Sequence, residues 1–186
     1  QTVKHLLPPL RDETWAQQAL YREGVLLQVL DHDLFVGCNT ILVDTQTFAP
    51  HNVHLLMLEH VSTISLRTLI RNLHRHQQYL QPIEIAYLMV HVYQAITYLH
   101  HVNTGPVIYN DLSPSNILVG REGKLHFIDL SSAFFPGCPA RSPSYKGKKP
   151  YQSPEINSEY PGSIASDYFA WGQIIFELII GKTFTF

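Results

Sequence analysis

The segment NILVGREGKLHFID, residues 116 to 129, restricts what this chain can fold into more than any other stretch. Two apolar runs flank GREG, whose glycines permit a tight reversal, so the pattern predicts an antiparallel hairpin. Asn116 opens the first strand and Asp129 closes the second, which brings both to one edge. Asp111 lies just upstream, in YNDLSPSN. Short polar side chains gathered there are compatible with a catalytic loop, working or decayed, and equally with a polar turn before a strand.

Helical spacing governs three other regions. From Trp15 to Leu30 the apolar residues Ala16, Leu20, Leu27 and Leu30 form one stripe, and Glu23 falls on the same stripe. SLRTLI, residues 65 to 70, reads as a short helix, and Pro82 stands in the first turn of a longer one whose inward face carries Ile85, Met89, Val92, Ile96 and Leu99. The apolar stretch Tyr168 to Ile180 is interrupted by Gln173 and Glu177 and is shorter than the roughly 20 residues a membrane span needs, so a buried helix is expected. Asn39 to Val43 and Val53 to Leu58 read as a strand pair around a polar loop containing Pro50. Residues 134 to 150 carry four prolines and two glycines, a composition expected of a long mobile loop.

Composition narrows the partners. At 186 residues and 45% hydrophobic content, one sizeable core in a single domain or a large piece of one is expected. A net charge of -2 gives no global field for nucleic acid or acidic lipid, and the basic residues cluster once, between Arg141 and Lys149. Cys38 and Cys138 lack paired spacing for zinc or a disulfide framework, which fits a reducing compartment, and the histidines form no metal-ligand constellation. The chain begins at Gln1 without a signal segment and reads as an excised piece.

Six motifs then fall in one register. Lys4 ends TVK, and Glu23 follows on the helix. Asp111 and Asn116 stand in YNDLSPSN, Asp129 opens DLS, SPE spans 153 to 155, and SDYFAWG opens the last helix. Together, from Lys4 to Gly181, they resemble the eukaryotic protein kinase domain, whose corresponding patterns are V-A-I-K with its helix glutamate, H-R-D-x-x-x-x-N, D-F-G, A-P-E and D-x-W-S-x-G. The resemblance implies an α+β, two-lobed fold truncated at both ends. Residues 1–60 would be the remainder of the N-lobe and the hinge, and 61–186 the C-lobe up to its central helix. The phosphate-covering Gly-rich loop would lie before Lys4, and the later helices after Gly181; by itself such a piece is expected to be inactive.

By resemblance, Lys4 clamps the α- and β-phosphates of ATP and Glu23 is its partner; a carboxylate on an apolar helix face needs such a cation. Asn116 and Asp129 supply oxygen ligands for Mg2+, and Asp111 is the base that accepts the substrate hydroxyl proton. Asx-turn capping is the other use of these three. Leu118 floors the adenine pocket, Leu58 backs it, and Glu59 and Val61 offer backbone hydrogen bonds, although core packing accounts equally for the leucines.

The departures carry information too. Tyr109 replaces the motif's histidine, keeping an aromatic body and a hydroxyl. Asn110 replaces the arginine that reads a phosphorylated loop, so Ser142, Ser144 and Tyr145 lack their usual reader. Leu130 and Ser131 replace phenylalanine and glycine. Ser113 stands where serine/threonine kinases carry a lysine for the transferring phosphoryl group, and Lys148 stands at the threonine position that normally bonds with that lysine. The two residue types have changed places, which makes Lys148 the candidate replacement cation and Ser113 its hydroxyl partner; the alternative is a lysine solvated on a basic loop.

The resemblance thus implies an intracellular, cytoplasmic or nuclear enzyme that transfers the ATP γ-phosphoryl group to serine or threonine of a protein substrate, the SPE and Pro114 segments resembling that branch rather than the tyrosine one. A pseudokinase scaffold with a regulatory protein partner is the alternative from another class, and a small-molecule kinase a third. No nucleic acid partner or membrane segment is expected.

Overall fold

The computed structural model describes residues 1–6, 10, 13–43, 53–61, 63–103, 105–135, 148–156 and 162–183. The loop containing Pro50, residues 136–147, and with them Ser142, Ser144 and Tyr145, lie outside the described residues.

The first strand β1 (Thr2–His5), helix α1 (Thr14–Val29) and strands β2 (Cys38–Val43) and β3 (Val53–Leu58) form one layered unit. β2 and β3 pair antiparallel as expected, but β3 is central, because β1 lines its other edge in the order β1-β3-β2 and sets Lys4 opposite Leu56. α1 lies on this sheet through Ala16, Leu20 and Leu27, with Glu23 fully buried on the same face and Leu30 just past the helix end. The approach is close at Gly24, where an added Cβ would stand 2.7 Å from Leu56 and 2.9 Å from Ile41. That closeness presses the neighbouring Glu23 against the sheet.

The rest is helical around a second small sheet, β4 (Ile64–Ser65), β5 (Ile117–Val119) and β6 (Leu125–Phe127), ordered β4-β5-β6. The β5–β6 hairpin pairs Ile117 with Phe127 and Val119 with Leu125. Its turn is looser than a two-residue reversal: a single 3-10 turn spans Arg121–Gly123, and the left-handed positions are Glu122 and Gly123, not Gly120. Helix α2 extends past SLRTLI, from Leu66 to Arg75, with Ser65 accepting from the Thr68 N–H at 3.1 Å. Its second half is polar and exposed, so apolar periodicity did not mark it.

Helix α3 (Pro82–His100) starts in a capping box of Gln81 and Glu84 and buries Met89, Val92, Ile96 and Leu99, with Ile85 partly covered. Helix α4 (Ile164–Ile180) packs against it, and the Trp171 indole donates to the Met89 carbonyl at 3.1 Å. Among the described residues no helix is long and apolar enough to cross a membrane. Phe127 ties β6 to the segment just before β2, donating to Leu34 O and accepting from Val36 N. The start of the segment expected as a mobile loop is paired instead: Phe134 and Ile108 exchange backbone hydrogen bonds of 2.7 and 2.8 Å. Lys149–Tyr151 make one 3-10 turn.

Candidate active site

Asp111, Ser113 and Asn116 stand in the segment between α3 and β5, all three buried. Asn116 Nδ2 donates to the carbonyl and to Oδ2 of Asp111, 2.9 Å each, which turns its Oδ1 outward. Lys148 reaches the same group from the 3-10 turn before α4. Its Nζ is 2.9 Å from Asp111 Oδ2, 3.2 Å from Ser113 Oγ and 3.2 Å from Asn116 Oδ1. Ser113 and Lys148 are thus in contact, with the ammonium on the aspartate.

A second ammonium lies nearby. Lys4 Nζ donates to Glu23 at 2.6 and 2.9 Å and to Asp129 Oδ1 at 2.9 Å. Asp129 Oδ1 also accepts from Ser131 Oγ at 2.6 Å. Burial pushes the Asp129 carboxyl up, but the charge of Lys4 and the hydrogen bonds from Ser131 and Lys4 outweigh it, and the group is held below its usual range. Burial lowers the Lys4 ammonium, and the two carboxylates more than reverse that. Burial raises Glu23, with Lys4 opposing. Asp129 takes a left-handed backbone, φ 65°, a conformation uncommon outside glycine and of the kind held at functional sites by surrounding contacts. Asn116 faces Ile128 across the hairpin edge, where Ile128 N donates to Asn116 O at 3.0 Å, and Asp129 follows one residue beyond.

A cavity of about 300 Å³ opens at this edge, lined by Lys4, Glu23 and Asp129 together with Leu58, Glu59, Val61, Leu118, Val36 and Ile128. All six residues expected at a nucleotide site therefore border one cavity. The Glu59 N–H is engaged by Gly37 O at 2.9 Å, which leaves its carbonyl as the group to consider for a ligand. A second cavity, about 390 Å³, lies against α1 and shares Lys4 and Asp129 with the first. No group of three or more His, Cys, Asp or Glu side chains able to hold a metal occurs among the described residues, so a cation here needs oxygens from a ligand as well.

The support beneath the site was not assigned from sequence. Asp167, in the first turn of α4 and 1% exposed, accepts from Tyr109 N at 2.8 Å and Asn110 N at 2.9 Å, with His100 Nε2 2.9 Å from Oδ2. The signal was an acid in the first turn of an otherwise apolar helix, where burial demands partners. Tyr109 is fully buried; its hydroxyl donates to the Ile128 carbonyl and its ring meets Phe127 edge-on. Asn110, φ 68°, donates to Ser132 O at 3.1 Å, and a Cβ at Gly162 would stand 2.1 Å from its Oδ1. Asp167→Asn puts an amide N–H where a backbone N–H now points. It is expected to cost about 2 kcal/mol, roughly 4–8 °C in thermal unfolding; an unchanged midpoint would remove Asp167 from this supporting role.

Two small antiparallel sheets, a helix pair carrying the large apolar core and a polar cleft edged by the hairpin define an α+β kinase-like protein. The protein kinase domain matches residues 3–186, and the chain belongs to the protein kinase family. It is 28% identical over 186 residues to mitogen-activated protein kinase p38b of Drosophila melanogaster, 97% of this chain and 47% of that protein. It is 26% identical over 145 residues to the probable L-type lectin-domain containing receptor kinase VI.1 of Arabidopsis thaliana, 76% of this chain and 21% of that protein. To the cAMP-dependent protein kinase catalytic subunit of Schizosaccharomyces pombe it is 32% identical over 117 residues, 62% and 21% respectively. The chain thus spans between about a fifth and about a half of the length of these relatives.

Proposed function

We propose that this protein binds Mg-ATP in the cavity at the hairpin edge and transfers the γ-phosphoryl group to serine or threonine hydroxyls of a protein substrate. In this reading residues 1–60 serve as small lobe and hinge, 61–186 as the large lobe, and the protein works in the cytoplasm or nucleus. The observation that carries it is the Lys148 ammonium within 3.2 Å of Asp111, Ser113 and Asn116, a cation at the carboxylate where the family pattern alone left none.

Asp111 takes the proton of the acceptor hydroxyl as its oxygen attacks the γ-phosphorus; the bond to the bridging oxygen breaks and its electron pair leaves with ADP. Lys4, steadied by Glu23, holds the α- and β-phosphates, while Leu58, Leu118, Glu59 and Val61 take the adenine. Lys148, held by Ser113, offsets charge on the transferring group. Asp129, which lines the cavity, and Asn116, in the neighbouring catalytic segment, are hard oxygen donors and would fit magnesium, provided Lys148 releases Asn116 Oδ1. Bound magnesium supplies charge neutralisation at the β- and γ-phosphates.

A scaffold without transfer is the second reading. It is favoured by the engagement of Asp129 Oδ1 with Lys4 and Ser131 and of Asn116 Oδ1 with Lys148, which occupies both oxygens from within the chain. Thermal unfolding with ATP, with and without magnesium, separates binding from its absence: at a hundredfold excess over Kd, stabilisation of about 2.7 kcal/mol is expected. A transfer assay with Asp111→Asn follows, where a loss of about 100-fold or more is expected. In the full-length protein, binding without measurable transfer would establish the scaffold, and no stabilisation would sink the nucleotide site.

A further inference from the structure

Helix α2 carries Arg67, Arg71 and Arg75 at successive i, i+4 positions, and no acid occurs anywhere along it. Like charges at this spacing repel, and while Glu177 accounts for Arg67, no acid on the helix accounts for Arg71 and Arg75. Arg71, Arg75 and the neighbouring His74 are exposed, and with Arg67 they border a groove of about 360 Å³ whose far wall is Glu177 and Gly181 of the α4 end. Glu177 is the groove's acid and is already used: one oxygen accepts from Arg67, the other from the Tyr151 hydroxyl, and it is 3% exposed. Three guanidiniums thus face one neutralised carboxylate. In a chain of net charge -2 this is a local positive field.

Its position gives the field a use. Arg67 N donates to Pro114 O at 2.9 Å, so the groove begins at the segment that holds Asp111 and Ser113. Tyr151, against which Arg67 also stacks at 5.5 Å, follows Lys148 by three residues. A polypeptide presenting a hydroxyl to Asp111 and running along this wall crosses Arg67, Arg71 and Arg75 in turn.

We propose that the α2 groove selects acidic polypeptide, binding glutamate or aspartate side chains on one flank of the acceptor hydroxyl through paired guanidinium–carboxylate contacts. This rests on the kinase reading for the word acceptor, and on the groove alone for binding. Extended peptide is favoured over nucleic acid because the stripe is one helix face continuous with the catalytic segment, in a chain whose net charge of -2 gives no global field for a polyanion.

The test is fluorescence anisotropy at low salt with the whole chain and three labelled peptides of one serine each, flanked by glutamate, glutamine or lysine. The glutamate peptide is expected to bind about tenfold tighter than the glutamine one, to weaken with salt, and to lose about tenfold on Arg71→Glu with Arg75→Glu, both exposed pairs of ordinary strength. Arg121→Glu with Lys124→Glu, an equal charge change at the exposed hairpin turn, is expected to leave binding within about twofold. Equal binding of the three peptides, no binding, an equal loss in the control variant, or stronger capture of an RNA oligonucleotide than of the glutamate peptide each overturns the proposal. Selective binding without any transfer by the full-length protein supports this groove and removes the enzyme reading; transfer blind to peptide charge does the reverse.

Discussion

Lys148→Ala is expected to lower phosphoryl transfer by about 100- to 1,000-fold, the size of effect seen when one preorganised charge aimed at a transition state is removed. Asp111 and Ser113 are buried while the Lys148 side chain is 37% exposed, so water screens the ammonium only from one side, and the alanine variant leaves the Asp111 carboxylate without this cation. The informative variant is the exchange, Ser113→Lys with Lys148→Thr. It keeps one cation and one hydroxyl while reversing which segment supplies each. Recovery to within about tenfold of the original rate is expected if charge at that point is what matters, whereas each single change stays low. Thermal unfolding run alongside separates lost chemistry from lost folding. A Lys148→Ala enzyme that transfers at the original rate would show that the lysine is only a structural counter-ion to Asp111.

The second large effect falls on stability. Lys4→Met leaves Glu23, fully buried, without its cation, and removing one partner of a buried pair costs about 3 to 5 kcal/mol. In a chain of this size that lowers the unfolding midpoint by roughly 10 °C. Replacing both members, Lys4→Met with Glu23→Leu, removes the stranded charge and fills the volume against Leu56, so most of the stability is expected to return. ATP stabilisation is expected to stay absent, because no ammonium then reaches the phosphates. If the single variant unfolds at the original midpoint, Glu23 finds its charge balance elsewhere; if the double variant still gains stability from ATP, Lys4 is not the phosphate clamp.

Local patterns were readable where local physics dominates. The α1 stripe, the α3 inward face and the β5–β6 hairpin follow from side-chain periodicity and a glycine-bearing reversal, and they form within a residue or two of the expected bounds. The second half of α2 was missed because its residues are polar and solvent-facing, and its helix rests on the Ser65 cap and on continuation from Leu66 and Ile70. β1 as an edge partner of β3 was not visible either, since strand order depends on contacts 50 or more residues apart. The polar side chains at 4, 23, 111, 116 and 129 were singled out by motif. Asp167 was not given its task, because a buried carboxylate accepting from two backbone N–H groups on a distant segment leaves no periodic trace.

By itself the sequence determined the inward faces of α1 and α3 and the β5–β6 hairpin, and that a lysine and a hydroxyl residue had traded positions in a known order of motifs. Those are consequences of spacing along one chain. That the Lys148 ammonium comes to rest on Asp111 and Ser113, 37 and 35 positions away, was decided by tertiary packing alone. The turn carrying Lys148 is anchored through Tyr151 to Glu177 of α4 and Arg67 of α2, and the segment carrying Asp111 is anchored through Asp167 to the same helix. Burial makes each of those polar groups seek a partner, and one shared helix brings the two segments to a common place.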